Sequence, residues 1–372
     1  MGSKKNKNKN NKEKFPFVSL CTPTFNRRPF IPIMLKCFEH QTYPKDKIEW
    51  IIIDDGTDKI EDLVSHIPQV KYIKCDEKIT LGKKRNMSNS ISKGDIIIYI
   101  DDDDYYPPER ISHAVETLQQ NPKALCAGSS IMNIYFKHIN KMVQFGPYGP
   151  NHATAATFAF RKELLLQTKF EEEACIAEEK NFLKNYTIPF VQLDTMKTIL
   201  VFSHIHNSFD KKELLKVFPT PFANYSDKKP EDFVKDVNML NFFMKDIDNL
   251  LATYDLGDPK YKPDVIKQME EIKIKREMME KKQMEQMQFL NKINNHNNPN
   301  IQNIQNIQNI QNIQNIQNIQ NNQNKEQQTF QMIQNLILEN NALKEKVKYL
   351  EDKMSQLIKT TIDKKTEDKN YK

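Results

Sequence analysis

Four consecutive aspartates, Asp101 to Asp104, stand directly behind the apolar run "DIIIYI". Carboxylates crowded this way raise each other's pKa and destabilise the loop unless they share a positive charge. In an extended segment residues two apart face the same way, so Asp101 and Asp103 would present their oxygens together. Oxygens at that spacing suit a hard divalent cation, Mg2+ or Mn2+, that keeps open positions for phosphate oxygens. A cation held there could neutralise a diphosphate leaving group as its bond breaks. A solvated acidic loop is the ordinary alternative. The apolar run favours the cation reading, because it would fix the carboxylates on a rigid strand.

What must position the cluster is a series of short apolar runs. "FVSLCTP", "IEWIIIDD", "VKYIK" and "DIIIYIDD" read as four buried strands. A helix from Pro29 through Ile33, Leu35 and Phe38 follows the first, and "GKKRNMSNSISKGD" reads as a helix closed by Gly94. β-Branched runs alternating with helices predict a parallel sheet buried on both faces. Later runs, "SIMNIYF", "ATFAF", "PFVQL" and "TILVFSHIH", alternate more and predict a mixed second half. Open sheets of this class bind ligands at the carboxyl ends of their strands. The first strand ends in "TPTFNRR", the second in "DDGTD" and the fourth in the aspartates. A solvated loop explains any one of these, but not three converging at one edge.

The chain of 372 residues has 38% hydrophobic residues, low for a uniformly packed chain. Its net charge of +6 comes mostly from residues 1–14, which carry six lysines and one glutamate. The rest is near neutral, so the basic balance is no sign of a nucleic-acid partner. Five cysteines without close pairing predict free thiols rather than disulfides or a zinc site. No window approaches ~18 apolar residues, so no membrane span is expected.

Beyond about residue 224, Phe233, Val237, Leu240, Met244, Ile247 and Leu251 are spaced as one apolar helix face. A Met-, Lys- and Glu-rich helical stretch opens at Pro263. The triplet IQN then repeats from Ile301 to Asn321, a period that matches neither helix nor strand and predicts a disordered linker. Ile333, Leu336, Asn340, Leu343, Val347, Leu350, Met354 and Leu357 form a heptad seam, which predicts a parallel homodimeric coil through 333–357. The expected divisions are a basic tail (1–14), an α/β domain (15–222), a helical extension (223–292), a linker (293–328), a coiled coil (329–362) and a charged tail (363–372).

"VSLCTPTFNR", "HQTYPKDKIEWIIIDDGTD" and "LGKKRNMSNSISKGDIIIYIDDDDYYPPER" together resemble an inverting family 2 glycosyltransferase. The resemblance covers roughly residues 15–210 and implies the Rossmann-like, A-type nucleotide-diphospho-sugar transferase fold, with a mainly parallel central sheet. It implies a nucleotide-sugar donor, expected to be a UDP-sugar, and Mn2+ or Mg2+. Pro23, Phe25 and Asn26 would line the nucleotide. Asp55 would recognise the base beside Asp54. Arg85, with Lys83 and Lys84, would face the diphosphate. Asp103 would be the direct metal ligand, with Asp101 and Asp102 competing for the ribose and a second metal contact. In "FEEEACIAEEKNFL", Glu179 matches the position of the general base and Glu178 its neighbour. Glu stands where Asp is common in the family, and its longer reach implies a different seat for the acceptor. His206 is a candidate extra metal ligand, with His204 two residues before it. His152 lies in the stretch that would approach donor and acceptor.

Two readings of function compete. The first is an active, metal-dependent transferase acting on a glycan, lipid or protein hydroxyl, expected in the cytoplasm (of a host cell, or in a virion, if the source is viral). The second is an inactive transferase-like scaffold dimerised by its coil. The intact aspartates, Asp55 and Glu179 favour the first. A nucleotidyltransferase would want a glycine-rich loop after the first strand, and "TPTFNRRP" has none.

Overall fold

The computed structural model describes residues 15–295. Strand β1 (Val18–Thr24) is followed by α1 (Ile31–Glu39), β2 (Ile48–Asp54), α2 (Glu61–Val64), β3 (Val70–Lys74), α3 (Leu81–Ile91), β4 (Ile96–Tyr99) and α4 (Arg110–Gln120). The four strands lie in the order β3-β2-β1-β4 and all run parallel. Their unbroken apolar runs follow from burial on both faces. Leu20, Ile52 and Ile98 enter one core with Ile31, Met34 and Leu118 from the helices. Cys21, Ile51, Ile53, Ile97 and Tyr99 enter a second core on the other side, with Phe158, Phe170 and Phe182. Each fully buried isoleucine contributes roughly 1.5–3 kcal/mol of transfer free energy.

The chain continues through β5 (Cys126–Gly128), β6 (Met132–Phe136), β7 (Lys141–Phe145), β8 (Ala159–Arg161), α5 (Glu179–Phe182), β9 (Phe190–Gln192), β10 (Val201–Phe202) and β11 (Ala223–Tyr225). The central sheet grows to seven strands, β3-β2-β1-β4-β8-β5-β9, with β8 antiparallel to both neighbours. A second sheet has the order β10-β6-β7-β11. The result is an α/β domain with a parallel first half and a mixed second half, as the run patterns predicted. Strands β5, β7 and β11 were not among the predicted runs.

Two local expectations are corrected. Gly94 does not close α3, which ends at Ile91 with Ser92 extended. A side chain at position 94 would come within 2.4 Å of the Ser19 nitrogen, so glycine lets the chain enter β4 beside β1. The single apolar helix expected after 230 is broken into α6 (Pro230–Phe233), α7 (Val237–Asn241), a π-helical turn (Phe242–Asp246) and α8 (Ile247–Ala252). Phe233, Ile247 and Leu251 are buried, but Val237 is 67% exposed while Met239 and Phe243 fill the core. The π turn accommodates an extra residue and rotates the face.

Helix α9 (Pro263–Asn295) begins at the expected proline. Its residues up to Gln283 belong with the α/β unit, and the remainder to a second unit. The basic tail, nearly all of the linker, the coiled coil and the charged tail lie outside the described residues. All five cysteines are free. Among the described residues no helix is long and apolar enough to cross a membrane.

Candidate active site

The polar strand ends meet at one sheet edge because β1, β2 and β4 are parallel and in register. Thr24 pairs with Asp54 at the ends of β1 and β2, and Cys21 pairs with Tyr99 at the end of β4. Two residues on, the Asp101 N–H donates to the Tyr106 hydroxyl at 2.8 Å. The acidic run is not solvated, since Asp102 and Asp104 are 6% and 8% exposed. Arg27, from the loop after β1, neutralises it. Its Nε lies 3.5 Å from Asp102 Oδ1 and its Nη2 lies 3.4 Å from Asp103 Oδ2. The guanidinium is pinned by two carbonyls, donating to His206 O at 2.8 Å and Gly257 O at 3.4 Å.

The aspartates do not share that charge equally. Burial works to raise Asp103, but a hydrogen bond from His204 and the Arg27 charge outweigh it and hold the group well below the usual range. Burial, opposed by Arg27 and reinforced by Asp103, pushes Asp102 up to about 7. Burial also raises Asp101, and raises Asp104 well above its ordinary value. Asp103 is the firm anion of the run.

Its second partner is His204, whose Nε2 lies 3.3 Å from Asp103 Oδ2. His204 Nδ1 accepts the His206 N–H at 3.2 Å, and Nε2 faces both Asp103 and, at 2.8 Å, the Asn207 side-chain amide nitrogen. Burial holds this imidazole down at about 3 despite the carboxylate. The structure therefore brings His204 to the cluster, while His206 contributes its backbone carbonyl. The His206 ring packs against Gly257, where a side chain would come within 2.6 Å of Nδ1.

Beside the aspartates is a cavity of about 150 Å3 lined by Pro23, Phe25, Arg27, Lys84, Arg85 and Lys262, among others. Asp55 stands behind it, accepting from Lys84 Nζ at 2.6 Å and from the Ile79 N–H at 2.8 Å. Asp54 faces its own loop, with Oδ1 accepting the Gly56 N–H and Oδ2 accepting the Ile60 N–H and the Tyr72 hydroxyl. Asn26 stitches the same region, accepting the Asp58 N–H at 2.9 Å and donating to Leu256 O at 2.9 Å. Lys83 does not line the cavity; its half-exposed ammonium lies 3.8 Å from Glu173.

Arg85 joins this cavity to α5. Its Nε donates to Glu178 Oε1 at 2.8 Å, its Nη2 lies 3.7 Å from Asp101 Oδ1, and its guanidinium sits 4.5 Å from the centre of the Tyr99 ring. Arg85 Nη1 and Asp101 Oδ1 are both buried without a hydrogen-bond partner. Such orphaned atoms are rare in folded proteins and mark where a ligand's charges could be placed. Glu179, the next residue, accepts the Ala155 N–H at 3.2 Å. Burial, reinforced by the Glu178 charge, pushes Glu179 up to about 7. That is a useful value for a group that must take a proton near neutral pH.

Residues 19–187 match the family model of glycosyl transferase family 2. This segment is a family 2 glycosyltransferase domain. Similar curated proteins include an uncharacterized glycosyltransferase of Haemophilus influenzae, 29% identical over 28% of this chain and 35% of its own length. The putative colanic acid biosynthesis glycosyl transferase WcaA of Escherichia coli is 32% identical over 28% of this chain and 39% of its own. The poly(ribitol-phosphate) beta-N-acetylglucosaminyltransferase TarS of Staphylococcus aureus is 25% identical over 33% of this chain and 21% of its own. The chain thus spans well under half the length of each. A crystal structure of TarS residues 1–349 with UDP-GlcNAc aligns at TM-score 0.42 and 20% identity, covering 50% of this chain and 59% of that one. The family match carries the assignment, and it ends well before Lys262.

Arg27 and Lys262 are the residues the sequence pattern did not single out. Arg27 directly follows the "TPTFN" loop, and only the fold shows that it turns onto the aspartates. Lys262 lies in "KYKPD", where nothing in type or spacing marks it.

Proposed function

We propose that the domain transfers a sugar from a nucleotide-diphosphate donor to a hydroxyl acceptor, with inversion at the anomeric carbon. The observation that carries this reading is Arg85, a buried cation with a free Nη1, standing between the aspartates and α5. It joins a charge-lined donor cavity to a carboxylate poised to accept a proton. Arg27, Arg85, Lys84 and Lys262 would receive the diphosphate, and Asp55 would fix Lys84 and the Ile79 backbone beneath the nucleotide. Asp102 remains a candidate for the ribose. Glu179 would take the proton from the acceptor oxygen as it attacks from the face opposite the diphosphate.

A divalent cation fits the site in chemistry but not as an all-protein cage. Among the described residues no three metal-ligating side chains converge. Asp103 and His204 would supply a carboxylate and an imidazole, Asp101 Oδ1 is an unused oxygen, and phosphate oxygens would complete the shell. Bound there, Mn2+ or Mg2+ would neutralise the departing diphosphate. An inactive scaffold would have no use for the orphaned Arg85 nitrogen or the raised Glu179.

The test is release of nucleoside diphosphate by the full chain from a panel of UDP- and GDP-sugars with Mn2+ or Mg2+, against an EDTA control. Metal-dependent release is expected. Silence across the panel, with no nucleotide binding by calorimetry, would overturn the reading.

A further inference from the structure

On the α5 side of the site, aromatic rings line up along two loops. The Tyr148 ring lies 4.9 Å from the His152 ring, and the His152 ring lies 5.1 Å from that of Tyr186. Phe222 extends the row, stacked at 5.5 Å on Tyr148, which is 47% exposed. We propose that Tyr148, His152 and Tyr186 form a stacking platform for a pyranose ring of the acceptor, which makes the acceptor a glycan. This names the acceptor class for the transferase reading above and rests on Glu179 as its base.

Three observations carry it. The first is continuity with the reacting carboxylate. Ala155, whose N–H binds Glu179 Oε1, lies three residues after His152, and Tyr186 lies in the turn that leaves α5, the helix Glu179 opens. The Glu179 carboxylate is close enough to help raise the Tyr186 hydroxyl, although burial is the larger cause.

The second is that polar groups tie the loops carrying the rings to one another, while Tyr186 also packs on the core beneath. Ser130 Oγ accepts the Tyr148 N–H at 2.8 Å and sits 3.3 Å from His152 Nδ1. Gln192 Nε2 donates to the carbonyls of Pro150 at 2.8 Å and His152 at 2.9 Å. Asn151 Nδ2 donates to Tyr186 O at 3.0 Å and ties one loop to the other.

The third is local backbone strain. Lys184, Asn185 and Tyr186 are three successive non-glycine residues with φ of 48°, 55° and 62°. Such a run is costly and persists only where the surroundings impose it, which is common at ligand sites. Here it presents the Tyr186 ring to His152.

The ligand class follows from the surface. Aromatic faces carry negative potential and attract the polarised C–H face of a sugar ring, while phenol, imidazole and amide groups at the rim suit its hydroxyls. A lipid acceptor would call for a continuous apolar groove instead.

The experiment uses the full chain and a panel of methyl glycosides of glucose, galactose, mannose and N-acetylglucosamine, read by saturation-transfer NMR without donor. At least one glycoside should receive saturation. Tyr148→Ala and Tyr186→Ala should each weaken its binding by about tenfold, whereas Tyr148→Phe should keep it. Melting curves establish that the variants are folded. Glycoside binding indifferent to both alanine variants, or no binding across the panel, would overturn the platform. This readout needs no turnover, so a failure of donor cleavage alone would strike the transferase reading and leave the glycan site standing.

Discussion

His204 Nε2 stands 3.3 Å from Asp103 Oδ2, with the imidazole kept neutral by burial and the carboxylate kept ionised by its partners. An ionised carboxylate is the ligand that a hard divalent cation such as Mn2+ or Mg2+ would take, and the imidazole beside it would orient that carboxylate or add one nitrogen. Asp103→Ala should lower nucleotide release by roughly 100-fold or more while the protein stays folded. His204→Ala should raise the Mn2+ concentration needed for half-maximal release by about tenfold. A metal titration of both variants checks this, and wild-type curves would remove the pair from the metal.

Glu179 should govern the pH dependence of transfer. Its pKa is pushed up to about 7, so the base is protonated below that value and transfer should fall as pH drops through it. Glu179→Gln should keep donor binding but lose about 10²–10⁴ of the transfer rate. The sign for stability is opposite to that of a salt-bridged acid. The folded state disfavours the charged form, so stability is lost as pH rises from the ordinary value of 4.5 to about 7, the full cost is present above that, and almost none is present at pH 4. Glu179→Gln should therefore melt higher than wild type at pH 8 and equally at pH 4. Equal melting at both would show that the carboxylate is not destabilised.

Much of this site was legible because its residues sit where strands end. Position after a buried run is a local property, so the aspartates, Asp55 and the "TPTFN" loop could be placed from the chain alone. Arg85 and Glu178 could be named but not paired, since their 2.8 Å contact spans 93 residues. The choice between His204 and His206 was illegible for a different reason. Two residues apart on a strand predicts one shared face, but the chain turns after β10 (Val201–Phe202) and sends the two rings different ways. The helix after 230 failed because extended backbone at Val234 and Asp236, with Asp236 capping a new helix, interrupts it, and a π turn then breaks the period on which its apolar face was counted.

Truncation after residue 295 should leave donor cleavage intact and abolish dimerisation. The heptads at 333–357 place leucine at successive d positions with Asn340 at an a position, which favours two parallel strands. Light scattering on the full and shortened chains decides it. A shortened chain that remains dimeric would move the interface elsewhere.

Lys262 tests whether the extension beyond the family segment completes the donor cavity. Its ammonium is buried, donates to Ser208 Oγ at 2.6 Å and lies 5.7 Å from the centre of the Phe25 ring. Burial, reinforced by the charge of Arg27 and opposed by Asp102, pushes it well below its usual range. A cation held in such company gains most from an anionic ligand. The extension is also pinned at both sides of this residue, by Asn26 on Leu256 and by Gln268 Oε1 accepting the Cys175 and Ile176 N–H groups. Lys262→Met should weaken binding of UDP or GDP by about tenfold, as the loss of one charge-assisted contact does. Melting should hold or rise, because a disfavoured buried charge is gone. Calorimetric titration of the variant with Mn2+ present measures the first effect. Unchanged affinity would make the extension a structural strap and confine the donor site to the family domain.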